Sequence, residues 1–370
     1  MTAHLFRLRW YTVFFLLGLL VLCTCFSGQI QVELQTAVNR CLTVIIPSLY
    51  AMMILSQLFL ESGSWQALAR PLRRFSTALF GLPESYFALL LLSQFAGYPV
   101  GASMLCTLTK QGVLSKEDAS RLLCVCYGGG PAFLLGLLGT VSCRRTCFLL
   151  IFSANLFANL LLCFLLFHRK PISPPVNGNN AIAPFSAQML TFAVTSAGRT
   201  LLKLCGMILC FAALTGIFQA AGLFRCCTAL MQQLRVSFPL TDLVRSVLEI
   251  SNCVALPLPV SLRIPVLAGL LSFGGVCVLL QICAVTGKTI SVGKLVWARG
   301  FTGLLSGGIC AAVLHFFPIA VSEQVLTTSA VPQTAAHPVF PILMLLCMML
   351  LVFREEQKLQ RSPCRKKNAA

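Results

Sequence analysis

The chain has 370 residues, of which 57% are hydrophobic and 10% are charged. Soluble domains contain about 45–50% apolar and about 25% charged residues, so this composition excludes a cytosolic enzyme, a disordered protein and a disulfide-stapled secreted module. The mean hydropathy of +0.86 predicts an all-α polytopic membrane protein.

Basic residues dominate the charge: 28 Lys and Arg stand against 10 Asp and Glu, a net charge of +18. They cluster at the ends of apolar segments, which indicates positive-inside topology and contact with anionic lipids; we expect no nucleic-acid partner. The 19 cysteines lie mostly inside apolar segments and lack zinc-site spacing. We therefore expect no metal and no cofactor.

The chain is predicted to form six regions in order. They are an N-terminal membrane anchor (1–34), a first repeat (35–170), a linker (171–187), a second repeat (188–317), a loop with the last transmembrane helix (318–353), and a basic cytoplasmic tail (354–370).

Each repeat has the same order of segments: a long helix, an amphipathic stretch at the membrane interface, a hairpin, a glycine-interrupted helix and a plain helix. In the first repeat these are Val38–Leu60, Ser64–Phe80, 86–108, Arg121–Thr140 and Cys147–Phe167. In the second they are Gln188–Ala221, a stretch with Arg225 and Arg235, 240–260, Ile264–Thr286 and Val296–Phe317.

The segments 86–108 and 240–260 are poor spanning helices, because the first contains Gly97 and Pro99 and the second contains Arg245 and Glu249. A charge at mid-bilayer costs about 2.5–3.5 kcal/mol on insertion scales. Broken, polar backbone at membrane depth is tolerated only inside protein or beside a cavity. We therefore predict two re-entrant hairpins. About eight full spans remain, with both termini cytoplasmic.

This topology places most Lys and Arg on the cytoplasmic side, including Arg299. The basic residues expected outside are Arg40, Arg144, Arg145, Arg225, Arg235, Arg245 and Arg263. Each repeat contains three crossings, so the second is predicted to be inverted relative to the first, as in secondary transporters. The main alternative makes both hairpins full spans.

Candidate substrate-binding residues lie where glycine and proline break the helices and expose backbone hydrogen-bonding groups. In the first hairpin they are Ser93, Gln94, Gly97, Tyr98, Pro99 and Gly101, and in the interrupted helix they are Gly129 and Gly130. The alternatives are close helix packing through Gly97 and Gly101, and a kink without a ligand.

The second repeat supplies the remaining candidates. Ser251, Asn252, Gly274, Gly275 and Gln281 are assigned to substrate binding, although Gln281 could equally bond across helices. Glu249 is assigned to ion or proton coupling, the alternative being an ion pair with a base such as Arg245. The sequence offers no catalytic triad, paired carboxylates or metal ligands, so we expect no enzyme.

Together these motifs resemble the nucleoside recognition, or Gate, domain superfamily, over roughly residues 35–317. The residues that carry the resemblance are Pro47-Ser48-Leu49, Gly97-Tyr98-Pro99-Val100-Gly101-Ala102, Gly112-x-Leu114-Ser115-x-Glu117, Gly130-Pro131-Ala132-Phe133, Leu248-Glu249-Ile250-Ser251-Asn252, and Phe273-Gly274-Gly275 through Gln281. Within the superfamily the chain is most similar to the YlbJ group of sporulation integral membrane proteins.

The resemblance implies a fold related to concentrative nucleoside transporters. It also implies movement of dipicolinic acid, a small planar dianion, across the outer forespore membrane. The chain departs from the family pattern at four positions. Gly128 and Gly129 stand where the pattern has Asn, Cys253 where it has Gly, and an apolar residue near Leu279 where it has His.

We therefore expect a multi-pass protein of the cell or outer forespore membrane that transports a small organic anion, with Na⁺ or H⁺ as the coupling ion. One alternative is a structural or assembly protein of the spore membrane without transport, which the four departures favour. Another is a nucleoside transporter. The sequence leaves open whether the protein is a homo-oligomer.

Overall fold

The computed structural model describes residues 2–140, 144–172, 184–233 and 239–317, and throughout these ranges the regular structure is helical. Most of the predicted linker, Arg235, the predicted last transmembrane helix (318–353) and the basic tail (354–370) lie outside the described residues.

Five helices in the described part are long and apolar enough to cross a membrane. They are Ser27–Glu61, Arg145–Phe167, Ala187–Ala220, Ser261–Thr286 and Gly293–Phe316. A bent pair, Arg70–Phe80 and Glu84–Ala96, meets at 99° and could form a sixth. The prediction of an all-α, multi-pass membrane protein is therefore confirmed at this level.

The first half contains α1 (Thr2–Cys25), α2 (Ser27–Arg40), a π-helical turn (Cys41–Ile45) and α3 (Ile46–Glu61), the last three forming one long helix. Shorter helices follow, namely α4 (Ser64–Ala69), α5 (Arg73–Phe75), α6 (Glu84–Ala96), α7 (Tyr98–Lys110), α8 (Lys116–Leu123) and α9 (Pro131–Leu137), and then the long helix α10 (Arg144–Phe167). The second half contains α11 (Ala187–Ala220), α12 (Leu223–Gln233), α13 (Leu240–Leu248), α14 (Val260–Phe273), α15 (Gly275–Thr286) and α16 (Gly293–Phe316).

The two longest helices run antiparallel along each other. Near the start of α2, Ile30 lies so close to Gly216 near the end of α11 that a Cβ on Gly216 would be 2.9 Å from the Ile30 Cα. Further along, Cys41 and Cys205 lie beside each other. Glycine therefore sets the close approach of the two helices.

Helix α16 is also antiparallel to its neighbours α10 and α14. Its Ser306 hydroxyl donates to Asn155 Oδ1 at 2.5 Å, and its Arg299 donates to Asn159 at 3.0 Å. Against α14, a Cβ on Gly303 would lie 3.0 Å from the carbonyl oxygen of Gly269. Two polar contacts and one glycine contact thus fix the register of α16.

The chain reverses direction at Gly97, between α6 and α7. Gly97 has a φ of 101°, in the left-handed region that favours glycine. Ser93 and Gly101, four residues on either side, meet across the break, where a Cβ on Gly101 would be 3.0 Å from the Ser93 Cβ. Helices α6 and α7 therefore form a helical hairpin.

The segment 240–260, the second predicted re-entrant hairpin, has a different form from the α6–α7 hairpin. Helix α13 ends at Leu248, a 3₁₀ helix follows over Ile250–Ala255, and the next α-helix begins only at Val260. Pro257 and Pro259 account for this, because proline lacks the N–H that a returning helix needs. Glu249 caps the 3₁₀ helix by accepting a hydrogen bond from the Ser251 N–H at 3.1 Å.

The predicted interrupted helix Arg121–Thr140 consists of two short helices, since α8 ends at Leu123 and α9 begins at Pro131. In the second half, Gly274 breaks the helix between α14 and α15 with a φ of 87°. The two breaks meet, because the Tyr127 hydroxyl donates to the Phe273 carbonyl at 2.7 Å.

Hydrogen bonds hold three segments of the chain together at one end of the molecule. The Ser120 hydroxyl in α8 donates to the carbonyl of Ser291 before α16, at 2.7 Å. The neighbouring Arg121 donates to the carbonyls of Leu166 and Lys170 at the end of α10, at 2.8 and 2.5 Å. The start of α8, the end of α10 and the α15–α16 connection therefore lie on the same side.

Candidate functional site

Where the broken helices meet, five polar and aromatic residues form a buried group that we term the central cluster: Gln94, Tyr98, Tyr127, Asn159 and Arg299. They come from α6, α7, the segment after α8, α10 and α16. Residues from both halves of the chain thus meet at one point inside a protein whose surroundings are apolar.

Arg299 is the charged member of the central cluster, and its exposed fraction is 0%. Both terminal nitrogens of its guanidinium donate to Asn159 Oδ1 at 3.0 Å, and one also donates to the Cys124 carbonyl. The guanidinium lies 4.5 Å from the centre of the Tyr127 ring, a cation–π contact. These partners are all neutral.

Asn159 connects Arg299 to the first hairpin. Its amide nitrogen donates to Gln94 Oε1 at 3.0 Å and to the Tyr127 carbonyl at 3.1 Å. Gln94 in turn donates to the Val125 carbonyl at 3.0 Å. The side-chain amides therefore satisfy backbone groups that the break after α8 leaves without helical partners.

Two tyrosines link the first hairpin and the break after α8 to the second half. The Tyr98 hydroxyl donates to the Leu271 carbonyl at 2.6 Å, and the Tyr127 hydroxyl donates to the Phe273 carbonyl at 2.7 Å. Their rings lie 4.9 Å apart. Both acceptors are carbonyls at the end of α14, where the break at Gly274 leaves them free to accept.

The glycines predicted to bind substrate instead allow close packing of backbone in this conformation. A Cβ on Gly101 would lie 2.2 Å from the Cys126 carbonyl oxygen, and one on Gly130 would lie 3.0 Å from that of Phe95. Gly129 faces the Tyr98 hydroxyl in the same way, at 2.9 Å. The interpretation of Gly101 as a packing residue therefore has direct geometric support.

A second polar group, the Arg40 cluster, consists of Arg40, Glu249, Ser251 and Asn252. One terminal nitrogen of Arg40 lies 3.0 Å from Glu249 Oε2 and from Asn252 Oδ1, and 2.5 Å from the Ser251 hydroxyl. That hydroxyl also lies 2.5 Å from Glu249 Oε2. The cluster therefore ties the middle of the long α2–α3 helix to the segment after α13.

The base that pairs with Glu249 is Arg40, whereas Arg245 was the partner suggested by sequence. Arg245 lies 3.3 Å from Glu33 and also donates to Gln219. Its guanidinium stacks over the Phe224 ring at 4.9 Å. The alternative that Glu249 pairs with a base is thus observed, with Arg40 in place of Arg245, because helix α13 ends at Leu248, between Arg245 and Glu249.

The other predicted site residues contact their own helix or the backbone of a neighbouring segment, or are buried. The Ser93 hydroxyl donates to the Leu90 carbonyl at 2.6 Å, within its own helix. Gln281 is buried, and its amide lies 3.3 Å from the Cys277 sulfur in α15. At Gly275, a Cβ would be 3.1 Å from the Val247 carbonyl oxygen. Pro99 is buried at the start of α7.

Arg299, counted with the cytoplasmic charges, is fully buried in the second turn of α16. Arg40, counted with the outside charges, is only 25% exposed and pairs with Glu249. The positive-inside rule assigns a side from sequence position and carries no information on depth, so it indicated neither burial.

Sequence reasoning also missed Asn155 and Asn159, although a signal was present. The two amides are spaced i, i+4 in an otherwise apolar helix, so they lie on one face. Arg299 and Ser306, spaced i, i+7 on α16, are their partners. Matching polar faces on two apolar helices predict a contact between them.

Within the described residues no group of three His, Cys, Asp or Glu side chains could hold a metal ion. Two grooves open on the surface, of about 670 Å³ beside α1 and α2 and about 380 Å³ between α11, α12 and α13. Neither is lined by the central cluster, whose five members are all buried.

Comparisons of this chain with protein-family models, with curated proteins and with solved structures find no match.

Proposed function

We propose that this protein is a secondary transporter of a small organic anion, built from two inverted repeats around the central cluster. The observation that carries the proposal is the meeting of three helix breaks, at Gly97, at 127–130 and at Gly274, at buried polar residues. Irregular backbone at membrane depth costs free energy, and in secondary transporters it occurs where broken helices line the substrate site.

The inverted repeat is supported by how the predicted counterparts pack. Helix α3, which continues α2, runs antiparallel to α11, and helix α10 runs antiparallel to α16. The two glycine breaks are in contact through the hydrogen bond between Tyr127 and Phe273. Elements related by a two-fold axis in the membrane plane run in opposite directions and meet near that axis. The observed packing agrees with this arrangement.

The same proposal makes the α6–α7 hairpin re-entrant and gives about eight full spans, counting the segments outside the described residues. The bend of 99° before α6 supports it, because it turns the amphipathic stretch Arg70–Phe80 away from the direction of the hairpin. Such a stretch would lie in the interface plane while α6 enters the membrane.

Glu249 is proposed to couple transport to H⁺ or Na⁺. Its carboxylate is only 7% exposed and already has a cation, Arg40, and a hydroxyl, Ser251, as partners. Protonation of Glu249, or replacement of Arg40 by Na⁺, would weaken the contact between α2–α3 and the segment after α13. That change would release one half relative to the other.

The substrate class rests on electrostatics and on the resemblance to the YlbJ group. Helices α7 and α15 both begin beside the central cluster, and their N-termini favour an anion. The resemblance implies dipicolinic acid as the substrate and sporulation as the process. The alternative of a structural spore-membrane protein is favoured by the closed packing of Gly101, Gly129 and Gly130.

The test is uptake of dipicolinate into proteoliposomes that contain the purified chain, with H⁺ and Na⁺ gradients imposed separately. Saturable uptake that falls at least about tenfold in Glu249→Gln is expected. Glu84→Gln is the matched control, because its half-buried carboxylate pairs with Arg73, which is exposed. Absence of uptake by monodisperse wild-type protein under both gradients would favour the structural role.

A further inference from the structure

Arg299 lies in an environment that water and counter-charges do not reach. It sits on α16, one of the helices apolar enough to span a membrane, with an exposed fraction of 0%. Charged side chains at such positions are costly and are normally paired with an opposite charge. Among the described residues, no Asp or Glu forms an ion pair with Arg299.

The hydrogen bonds of Arg299 are also incomplete. A guanidinium carries five N–H donors, and here the terminal nitrogens donate to Asn159 Oδ1 and to the Cys124 carbonyl. Its Nε is buried and has no acceptor within the described part of the chain. A buried donor without an acceptor is unfavourable, so a further acceptor beside the guanidinium would stabilise the site.

The partner of Arg299 already mimics the missing group. Asn159 Oδ1 receives bonds from both terminal nitrogens at 3.0 Å, so one neutral oxygen stands where the two oxygens of a carboxylate could each accept one of these bonds. From these observations we infer that Arg299 binds a carboxylate of the transported anion, which displaces the Asn159 oxygen. The inference rests on the proposed transport function and names the substrate group and its receptor.

The surroundings of Arg299 show how the site opens. Tyr127 lies under the guanidinium, and its hydroxyl and that of Tyr98 hold the end of α14 through Phe273 and Leu271. Separation of α14 from these hydroxyls would open a path to Arg299 beside the break at Gly274. A carboxylate that reaches the guanidinium neutralises the buried charge, so ligand binding and closure stabilise each other.

The experiment measures thermal unfolding of the purified full chain in detergent with a pair of probes of similar shape. Pyridine-2,6-dicarboxylate carries the carboxylates, and pyridine-2,6-dimethanol replaces them with neutral groups. The wild type should be stabilised by the first probe and not by the second. Arg299→Gln should lose this stabilisation, with affinity reduced at least about tenfold.

Two further variants keep the test decisive. Arg299→Lys retains the charge without the fork, so it folds with the same buried charge and should bind the dicarboxylate more weakly than wild type. Arg73→Gln removes one positive charge at an exposed position and should bind as the wild type does. Unchanged affinity in Arg299→Lys and Arg299→Gln, or no stabilisation of the wild type, would overturn the inference.

Failure of the inference and failure of the proposed function give different results. Arg299-dependent binding without uptake in proteoliposomes would retain the carboxylate site and reject transport. Uptake with an unchanged KM in Arg299→Gln would retain transport and reject the site.

Discussion

The ion pair between Glu249 and Arg40 is expected to contribute measurably to the stability of this apolar protein. The carboxylate is 7% exposed and the guanidinium 25% exposed, at a distance of 3.0 Å. Removing one partner of a buried pair costs about 3–5 kcal/mol, and we expect about 2–3 kcal/mol here because Arg40 retains contact with solvent. Glu249→Gln and Arg40→Gln should each lower the unfolding midpoint in detergent.

The double variant Arg40→Gln/Glu249→Gln separates the pair from the individual residues. Two neutral amides can still bond to Ser251 and Asn252, so the double variant should be more stable than either single variant. If the two losses simply added, the contact between Arg40 and Glu249 would contribute nothing to the fold.

A second prediction for a single residue concerns the stability of the Gly101→Ala variant. Gly101→Ala places a Cβ 2.2 Å from the Cys126 carbonyl oxygen, which is backbone and cannot turn aside. We expect a loss of about 1–3 kcal/mol, measured as a lower unfolding midpoint.

Gly206→Ala is the matched control for Gly101→Ala, since Gly206 lies inside helix α11 with no atom within 4 Å of its Cβ position. Alanine is favoured over glycine in helices by up to about 1 kcal/mol, so this variant should be unchanged or slightly more stable. Equal effects of the two substitutions would show that helix propensity, and not the contact with the 124–130 segment, sets the result.

At the scale of elements, the packing of α14 on α16 depends on Gly303. A Cβ on Gly303 would lie 3.0 Å from the carbonyl oxygen of Gly269, whereas a Cβ on Gly300 of the same helix would have no atom within 4 Å. Gly303→Val should therefore separate the two helices at a cost of about 1–3 kcal/mol. Gly300→Val carries the same loss of helix propensity without the clash.

The measurement for this pair is thermal unfolding together with size-exclusion chromatography in detergent. Gly303→Val is expected to lower the midpoint by more than Gly300→Val does. A larger effect of Gly300→Val would contradict the close α14–α16 contact and would place Gly300 in an interface outside the described residues.

The helix breaks could be predicted from sequence because their causes are local. Gly97 adopts a positive φ, and Gly130 does so beside Pro131, so glycine and proline identify both places. The shape of the segment after α13 could not be predicted in the same way. Glu249, which is polar and acidic, suggested a hairpin tip, but it acts as the cap of a 3₁₀ helix.

At the scale of the whole molecule, hydropathy was sufficient for the fold class and insufficient for the site. Arg40 and Glu249 are separated by 209 residues, and Asn159 and Arg299 by 140. The matching polar faces of α10 and α16 indicate the second pairing, but no comparable pattern in the sequence indicates the first. The positive-inside rule counted Arg299 with the cytoplasmic charges and did not indicate that it is buried, because the rule uses sequence position alone.

The relative directions of the helices lead to a prediction about sidedness. Ser120 bonds to the carbonyl of Ser291, and its neighbour Arg121 bonds to the carbonyl of Lys170. These residues therefore lie at the same end of the molecule. An epitope inserted after Lys170 and one inserted after Lys288 should therefore be accessible from the same side of the membrane. The positive-inside rule makes that side the cytoplasm.

An epitope inserted after Gly222, at the end of α11, should be accessible from the opposite side. Helix α11 is long enough to span the membrane, and its last turns pack near the start of α2. Antibody binding to intact cells and to inverted vesicles distinguishes the three positions. If the Lys170 and Lys288 insertions reported opposite sides, the inverted arrangement would fail, because α16 would then cross in the same direction as α10 although their polar faces pair in antiparallel order.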